Sequence, residues 1–282
     1  MKKQLHNLII GIAFFAFIWC CQVTYETARQ PYNAEPAKPA YPTQTTKVAT
    51  VATPAVNITQ YLPKSAIQGK LLRNTGYVSY FSEDHQIPVW VAYIAKYPFE
   101  YNTVERPSTF YQDPRVKSPQ HSDYTRSGFD RGHMAPNYVI GRCYGERAQY
   151  ETFYTTNIIP QKAKVNRNQW MEMEQFIANK LAARYGEVFV LVGPVITNNV
   201  SKIKGKITIP PAMWAIVAVR DRLGNLSMAA ILIPQEPTKK DFRNYITTVD
   251  NVEAETGIDF FSELPDQIEN QLEATRNRNL LN

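Results

Sequence analysis

The sequence contains the run Asp130-Arg131-Gly132-His133-Met134-Ala135-Pro136-Asn137, which ends in a Pro-Asn turn. If Asp130–Met134 is an extended strand, its side chains alternate, so Arg131 and His133 share one face and Asp130 points away. A guanidinium beside an imidazole suits an anionic ligand that must also gain or lose a proton. A lone histidine is often a structural residue, and this run by itself leaves that alternative open.

A second polar motif begins 33 residues after His133. Asn166, Trp170 and Glu174 are spaced four and four, so they stack on one face of a helix that begins at or near Asn166. Trp170 can pack inward while an amide and a carboxylate flank it, and their oxygens suit a hard divalent cation, directly or through water. The alternative is an ordinary amphipathic helix with Asn166 or Asn168 as its N-cap.

Taken together, the motifs resemble those of the DNA/RNA non-specific endonucleases. They are DRGH at Asp130–His133, NIIPQ at Asn157–Gln161 and Asn-x-x-x-Trp-x-x-x-Glu at Asn166–Glu174. The resemblance covers most of residues 64–282 and includes VWVAY at Val89–Tyr93 and TGIDFF at Thr256–Phe261. Each motif is weak alone, but their order and spacing make the combination specific.

The resemblance implies an α+β fold with a mixed, largely antiparallel central sheet, flanking helices and a ββα-metal finger as the active site. In that finger a β-hairpin delivers His133, and the following helix delivers Asn166. By the same resemblance His133 is the general base, Asn166 is the direct protein ligand of one Mg²⁺, and Glu174 holds a metal-bound water. Mn²⁺ is the alternative ion.

The resemblance also implies two arginines that contact the phosphate. Arg131 matches the strand arginine of the family. The upstream arginine matches Arg106, in the segment TVERPSTFYQDPR, and Arg115 in the same segment is the alternative. Guanidinium groups suit this task because they bind phosphate in bidentate fashion and stabilise the extra negative charge of the transition state.

The chain is predicted to contain three segments: a signal peptide or N-terminal membrane anchor at 1–29, a Pro-rich flexible linker at 30–63 and the endonuclease domain at 64–282. In the first, Lys2 and Lys3 precede the apolar run Leu8–Trp19, which is typical of an export signal. In the second, prolines recur among Ala, Thr and Gln and keep the chain extended. We therefore expect an exported protein that is periplasmic, secreted or tethered to the outer side of the inner membrane.

Composition excludes several classes of protein. The chain is 44% hydrophobic and 20% charged, as globular proteins are, and its three cysteines cannot form a disulfide-stapled scaffold. The net charge is +6, and residues 101–170 alone hold ten Lys or Arg against six Asp or Glu. This excess suits an anionic partner but does not establish one, and a solvated basic surface is the alternative. DNA and RNA are the substrates that the resemblance implies. Lys202, Lys204 and Lys206 either extend the basic track or form a solvated hairpin.

Apolar and β-branched runs predict strands at Gly76–Tyr80, Val89–Ala95, Glu151–Ile159, Val188–Val195, Ile207–Ile209, Trp214–Arg220 and Leu226–Pro234. Helical spacing predicts helices at Asn168–Tyr185, Lys239–Asp250 and Val252–Thr256, with Gly186 and Gly257 ending the first and last. The stretch Pro98–Phe129 has little periodicity, and loops of that length inside a domain are usually functional or mobile.

These observations predict an exported, Mg²⁺-dependent endonuclease that hydrolyses phosphodiester bonds of DNA and RNA with little sequence specificity. One alternative is a catalytically silent nucleic-acid-binding module of the same fold. Another is an enzyme that acts on a nucleotide or another small phosphodiester. The sequence leaves both a monomer and a homodimer open.

Overall fold

A strand buried on both faces lies at the centre of the computed structural model, which describes residues 61–198 and 201–282. This strand, Glu187–Pro194, alternates its side chains between two apolar cores. Val188, Val190 and Val192 enter one core, and Phe189 and Leu191 enter the other. The uninterrupted apolar run of the sequence therefore reflects a sheet that is covered on both sides.

The strands of the described part are β1 Lys64–Ser65, β2 Lys70–Arg73, β3 Tyr77–Ser82, β4 Ile87–Lys96, β5 Asp130–His133, β6 Ile158–Gln161, β7 Glu187–Pro194, β8 Lys202–Ile203, β9 Ile207–Thr208, β10 Ala212–Arg220, β11 Leu226–Pro234, β12 Ile246–Thr247 and β13 Ile258–Asp259. The central sheet has the order β12-β11-β10-β7-β4-β3-β2, and each neighbouring pair is antiparallel. Three shorter pairs, β1–β13, β5–β6 and β8–β9, are also antiparallel.

The helices of the described part are α1 Asn137–Tyr144, α2 Glu146–Glu151, α3 at residues 163–185, α4 Val249–Thr256 and α5 Asp266–Glu273. Short 3₁₀ turns occur at His121–Tyr124, Thr155–Asn157, Phe242–Tyr245 and Asn279–Leu281. Helix α3 changes its winding along its length, because Asn166–Trp170 and Ile177–Leu181 are π-helical. Within the described residues, no helix is both long and apolar enough to cross a membrane.

The two faces of the sheet carry different helices. Trp170, Met173 and Ile177 of α3 pack into the core on one face. Val249 and Val252 of α4 pack into the core on the other. The sheet thus separates α3 from α4, and the α+β fold with a largely antiparallel sheet is confirmed.

Most predicted elements agree with the structure. Helix α3 ends at Tyr185 as expected, and Gly186 follows it with a φ of 83°, a left-handed value that favours glycine. Its N-terminus lies five residues before the predicted Asn168, at Ala163. The predicted targeting segment 1–29, and the linker 30–63 up to residue 60, lie outside the described residues.

The predicted strand Glu151–Ile159 is wrong. Glu151 ends α2, and the strand β6 begins only at Ile158. The threonines between them use their hydroxyl groups in bonds outside a sheet ladder: Thr155 and Thr156 donate to the distant loop residues Pro119 and Asp113, and Thr152 bonds the main chain locally. Thr152 Oγ1 donates to the carbonyl of Gln149 at 2.6 Å. Such side chains offer the backbone an alternative to a sheet ladder.

The predicted helix Lys239–Asp250 is also wrong. Phe242 and Ile246 are buried at helical spacing, but a 3₁₀ turn and the short strand β12 bury them instead. Asp241 caps the turn by accepting the N–H of Arg243, and β12 pairs with β11. The helix begins at Val249, after Thr248 as its N-cap, and continues to the predicted end at Gly257.

Candidate active site on the hairpin and helix

The strand with the histidine pairs with the strand of the NIIPQ motif. In the β5–β6 hairpin, Asp130 lies opposite Gln161 and His133 lies opposite Ile158. A Cβ atom on Gly132 would overlap the side chain of Gln161, so this close approach requires glycine. Helix α3 follows the hairpin directly, which completes the ββα arrangement expected from the sequence.

The backbone after His133 is fixed by a buried asparagine. Asn157 accepts the N–H of Ala135 at 2.8 Å and donates to the carbonyls of Ala135 and Thr152, each at 3.0 Å. The carbonyl of Asn157 also accepts the N–H of Met134 at 2.9 Å. All three side-chain bonds are buried, so they hold the backbone between β5 and α1, directly after His133, in place. The predicted Pro-Asn turn is instead the start of α1, with Pro136 as its N-cap.

His133 lies between two aromatic rings. Its ring centroid is 5.3 Å from that of Phe110 and 5.1 Å from that of Phe153, and its Nε2 atom is enclosed with no hydrogen-bond partner. Burial first, and then the charge of Arg106, lower the pKa of His133 from 6.5 to about 3. The imidazole is therefore neutral at pH 7. With Nε2 enclosed, Nδ1 is the ring nitrogen that can reach a solvent molecule.

Arg106 lies close to two of the expected site residues. Its guanidinium carbon is 5.5 Å from the ring centre of Phe153, and its charge lowers the pKa of both His133 and Glu174. The side chain is exposed and has no hydrogen bond or ion pair within residues 61–198 and 201–282. Its charge is therefore available to an anion beside His133.

Arg115, the alternative to Arg106, has a different environment. Its guanidinium donates to both carboxylate oxygens of Asp113, at 2.7 and 2.6 Å. It also donates to the carbonyl of Arg73 and to the side chain of Asn74, each at 2.7 Å. Asp113 has a fully buried side chain. The structure thus places Arg106 beside His133 and gives Arg115 a bracing role between the loop and the sheet edge.

Arg131 shares a face with His133, as the alternation predicted. Both contact Phe110, whose ring centre is 5.8 Å from the guanidinium carbon of Arg131. Nη2 of Arg131 donates to the carbonyl of His121 at 2.9 Å and to Thr125 Oγ1 at 3.1 Å. The loop therefore holds one side of this guanidinium in place.

Asn166 is tied to the histidine strand through Asp130. Its Nδ2 donates to Oδ2 of Asp130 at 2.9 Å, and Arg167 binds both oxygens of that carboxylate at 2.8 Å. Although burial acts in the opposite direction, the bonds from Arg167 and Asn166 lower the pKa of Asp130. Because the amide donates through nitrogen, its oxygen is left for another partner. That oxygen fits a hard cation such as Mg²⁺.

Glu174 lies two turns further along α3. Burial raises the pKa of Glu174 from 4.5 to about 8, while the indole of Trp170 and the charge of Arg106 act against this shift. The indole N–H nevertheless has no acceptor in good hydrogen-bond geometry. Trp170 is buried and flanked by half-buried Asn166 and Glu174, as expected from their spacing. The π-helical turn Asn166–Trp170 begins at the first of these polar side chains and ends one turn before Glu174.

The sequence did not indicate several residues that build this site. Phe110 and Phe153 enclose the imidazole but belong to no motif, and Phe110 comes from the aperiodic loop. Asp130 was expected to point away from His133, and its role in orienting Asn166 was missed. The signal for that role was present, since Asp130 begins the DRGH run.

The three lysines of the β8–β9 hairpin make bonds to loop segments. Lys204 donates to the carbonyl of Ser122 at 2.8 Å, and Lys206 pairs with Asp123 at 3.1 Å. Lys202 donates to the carbonyl of Asp84 at 3.2 Å. Lys204 and Lys206 thus support the segment that holds Arg131. This role differs from both predictions, which were a basic track for nucleic acid and a solvated hairpin.

Comparison with known proteins agrees with the motifs. The family model described as DNA/RNA non-specific endonuclease matches residues 54–267. The chain is 34% identical over 163 residues to a nuclease of Nostoc sp., covering 54% of this chain and 58% of that protein. It is 27% identical over 225 residues to mitochondrial nuclease EXOG of Danio rerio, covering 73% and 64%. It is 30% identical over 163 residues to a nuclease of Serratia marcescens, covering 54% and 60%.

The matches span less than two thirds of each of these relatives. A solved structure of an EndoG/EndoGI complex superimposes with a TM-score of 0.66 and 22% identity, covering 78% of this chain and 96% of that one. This likeness supports the fold. The family match covers well over half of the sequence, and the chain therefore belongs to the DNA/RNA non-specific endonuclease family.

Proposed function

We propose that this protein is a metal-dependent endonuclease that hydrolyses phosphodiester bonds of DNA and RNA with little sequence specificity. The observation that carries the proposal is the neutral imidazole of His133 beside the unpaired guanidinium of Arg106. A phosphodiester resists hydrolysis because water is a weak nucleophile and the phosphate repels it. A neutral base next to a free cation addresses both difficulties.

In this proposal Nδ1 of His133 takes a proton from the attacking water. The low pKa of the free site makes the imidazole a weak base. Burial is the first cause of this low pKa and the charge of Arg106 is the second. A phosphate bound beside Arg106 would offset the second cause and so raise the pKa of His133. Substrate binding thus activates the base.

Arg106 and Arg131 bind the phosphate in this proposal. Arg106 is the more accessible partner because its guanidinium is exposed and has no hydrogen bond or ion pair among the described residues. Arg131 is the fixed partner because His121 and Thr125 hold one of its nitrogens. Both arginines gain interaction energy as negative charge develops on the phosphate oxygens.

Asn166 and Glu174 would hold the divalent cation, Mg²⁺ with Mn²⁺ as the alternative. Asn166 offers its amide oxygen directly, and Glu174 accepts from the waters of the ion. When bound, the ion neutralises developing charge and acidifies its water. Next to a bound cation the pKa of Glu174 would fall below about 8, and the ionised carboxylate would then be available to those waters.

Low sequence specificity follows from the chemistry of these contacts. The proposed groups meet phosphate oxygens or the ion, and phosphate contacts position a nucleic acid without reading its bases. The attacking group is water, so the reaction does not need the ribose 2′-hydroxyl. DNA and RNA are both expected as substrates.

Export completes the proposal. It rests on the two lysines before the apolar run Leu8–Trp19, and it assigns 1–29 to a signal peptide or anchor, 30–63 to a linker and 64–282 to the nuclease domain. The site of action is then periplasmic, extracellular or on the outer side of the inner membrane.

Incubation of the purified chain with supercoiled plasmid and with RNA, in Mg²⁺ and in excess chelator, tests the activity. We expect nicking and degradation in Mg²⁺ that stop in chelator. Binding in a gel-shift assay without cleavage would instead favour the silent module. Turnover of a small aryl phosphodiester, with long DNA left intact, would favour a small-molecule enzyme.

A further inference from the structure

A cluster of carboxylates lies on the face of the sheet opposite α3. Asp250 and Glu253 belong to α4, and Glu273 is the last residue of α5. One carboxylate oxygen from each of the three lies within 4.8 Å of the other two. Like charges at this separation repel one another, so the arrangement requires protons or a cation.

Glu273 gives a second and independent indication of a ligand. The residue is only 5% exposed, and its Oε1 atom is enclosed with no hydrogen-bond partner. A buried carboxylate oxygen normally accepts several hydrogen bonds or coordinates a metal ion, because removal from water is costly. One oxygen of this carboxylate belongs to the group formed with Asp250 and Glu253, so the buried side chain enters the cluster.

The charged groups that act most strongly on the pKa of Glu273 are all acidic. Burial first, and then Glu253, Glu269, Asp250 and Asp259, raise the pKa of Glu273 to about 8. The side chain of Lys64 does not pair with this group, since its ion pair is with Glu263, at 3.3 Å. The cluster therefore has an excess of negative charge that no described side chain neutralises.

We propose that Asp250, Glu253 and Glu273 bind one Ca²⁺ ion that joins α4 to α5. Calcium binds oxygen ligands at about 2.3–2.6 Å, so two oxygens that share an ion lie at most about 5 Å apart. The 4.8 Å span of the three carboxylates fits this limit. Calcium also tolerates irregular geometry, whereas Mg²⁺ demands a compact octahedron and keeps most of its water.

Two local features complete the site. Oε1 of Glu253 accepts the N–H of Phe260 at 2.9 Å, which fixes the carboxylate and leaves its second oxygen for the ion. Glu273 lies at the C-terminal end of α5, where the exposed carbonyls carry partial negative charge and favour a cation. The bound ion would be structural, because the sheet separates it from Asn166 and His133.

Calcium titration of the full chain with Asn166→Ala tests the proposal, since this background lacks the amide ligand of the proposed catalytic metal. We expect calorimetry to give one Ca²⁺ per chain. At a Ca²⁺ concentration about 100 times the Kd, the Tm should rise by roughly 5–10 °C. KCl at equal ionic strength should leave the Tm unchanged.

Three variants in this background locate the ion. Asp250→Asn and Glu273→Gln should abolish the Ca²⁺-dependent rise in Tm, while the exposed Glu255→Gln on α4 should keep it. Asp250 is exposed, so its variant reports on the site even if the buried Glu273→Gln fails to fold. Absence of Ca²⁺ binding, an equal rise in KCl or Mg²⁺, or an unchanged rise in Asp250→Asn would overturn the proposal.

Discussion

Two glutamates on opposite faces of the sheet have similarly raised pKa values but differ in the charges around them. Burial raises the pKa of both Glu174 and Glu273 to about 8. At Glu174 the charge of Arg106 opposes the shift, whereas at Glu273 four other carboxyl groups add to it. A carboxyl with a free arginine nearby fits a site that receives an anionic substrate. A carboxyl among other carboxyls fits a site that receives only a cation.

The largest effect on the α3 face is expected from His133→Ala. Loss of the general base should lower plasmid nicking in Mg²⁺ by about 10²–10⁴-fold. DNA binding in a gel-shift assay should be retained, because the arginines remain. His85→Ala is the matched control, since His85 contacts Thr208 at 3.2 Å and lies outside the proposed site. Near-normal nicking by His133→Ala would refute the base assignment.

Substitution of Arg106 should affect the rate, whereas substitution of Arg115 should affect stability. Arg106→Gln should lower kcat by about 10²–10³-fold, the usual cost of removing one donor to a developing charge. Arg115→Gln should instead lower the free energy of unfolding by about 1–3 kcal/mol, because the buried carboxylate of Asp113 loses its partner. Plasmid nicking and urea unfolding of both variants measure the contrast. An equal loss of kcat in both variants would contradict it.

Arg106 and Arg115 should also differ in their effect on the pH dependence of kcat/KM. His133 must be unprotonated to act, so kcat/KM falls as pH drops through its pKa, which in the free protein lies well below 6.5. Removing the positive charge in Arg106→Gln should raise that pKa and move the acid limb to higher pH. Arg115→Gln should leave the limb in place. A limb near pH 6.5 in the wild type would show that the site is more hydrated than the structure indicates.

A smaller effect is expected from Asp130→Asn. This change removes the charged acceptor that orients the amide of Asn166, so the Mg²⁺ concentration for half-maximal rate should rise about 10–100-fold. High Mg²⁺ should restore most of the rate, because the ligand itself is still present. Arg167→Gln is a useful companion, since it releases Asp130 without touching Asn166. An unchanged Mg²⁺ requirement in Asp130→Asn would argue against the orienting role.

The last prediction concerns stability in chelator, where no rate is measured. Folded Glu174 and Glu273 keep a proton between pH 4.5 and about 8, whereas the unfolded chain releases it near 4.5. The free energy of unfolding therefore falls as pH rises through this window. Each pKa unit corresponds to about 1.4 kcal/mol, so Glu174→Gln and Glu273→Gln should each reduce that fall by about 3 kcal/mol between pH 5 and 8, or roughly 6–12 °C in Tm. Thermal unfolding with Glu255→Gln as control measures it, and an unchanged pH slope would contradict the buried state.

The ββα arrangement was predicted from the resemblance of the ordered motifs to the endonuclease family, and the periods of strand and helix predicted which side chains share a face. DRGH and the Asn-x-x-x-Trp-x-x-x-Glu spacing place side chains by strand and helix periods, which the sequence states directly. The choice between Arg106 and Arg115 could not be made in this way. It depends on Asp113, whose burial beneath the loop is a tertiary property. The enclosure of His133 by Phe110 was hidden for the same reason.

The errors in secondary structure have a related origin. Phe242, Ile246 and Val249 recur at helical spacing, yet the first two are buried by a turn and a short strand. Periodicity indicates which residues are buried, but it does not indicate whether a helix, a turn or a strand buries them. The segment that contains Thr152 and Asn157 gave the other error, a predicted strand where most of the segment forms none. Its composition is that of a strand, but these two side chains bond the backbone instead.

The aperiodic loop before β5 is attached to three parts of the molecule. Gln149 binds Val104 at its start, and Tyr111 forms a bridge with Tyr154. Arg115 reaches Arg73 at the sheet edge. Between these attachments the loop supplies Arg106 and Phe110 to His133. A single proteolytic cut between Arg106 and Phe110 would leave the sheet assembled but interrupt the segment that carries the guanidinium proposed to bind phosphate. We therefore expect a chain nicked there to remain folded and to lose activity.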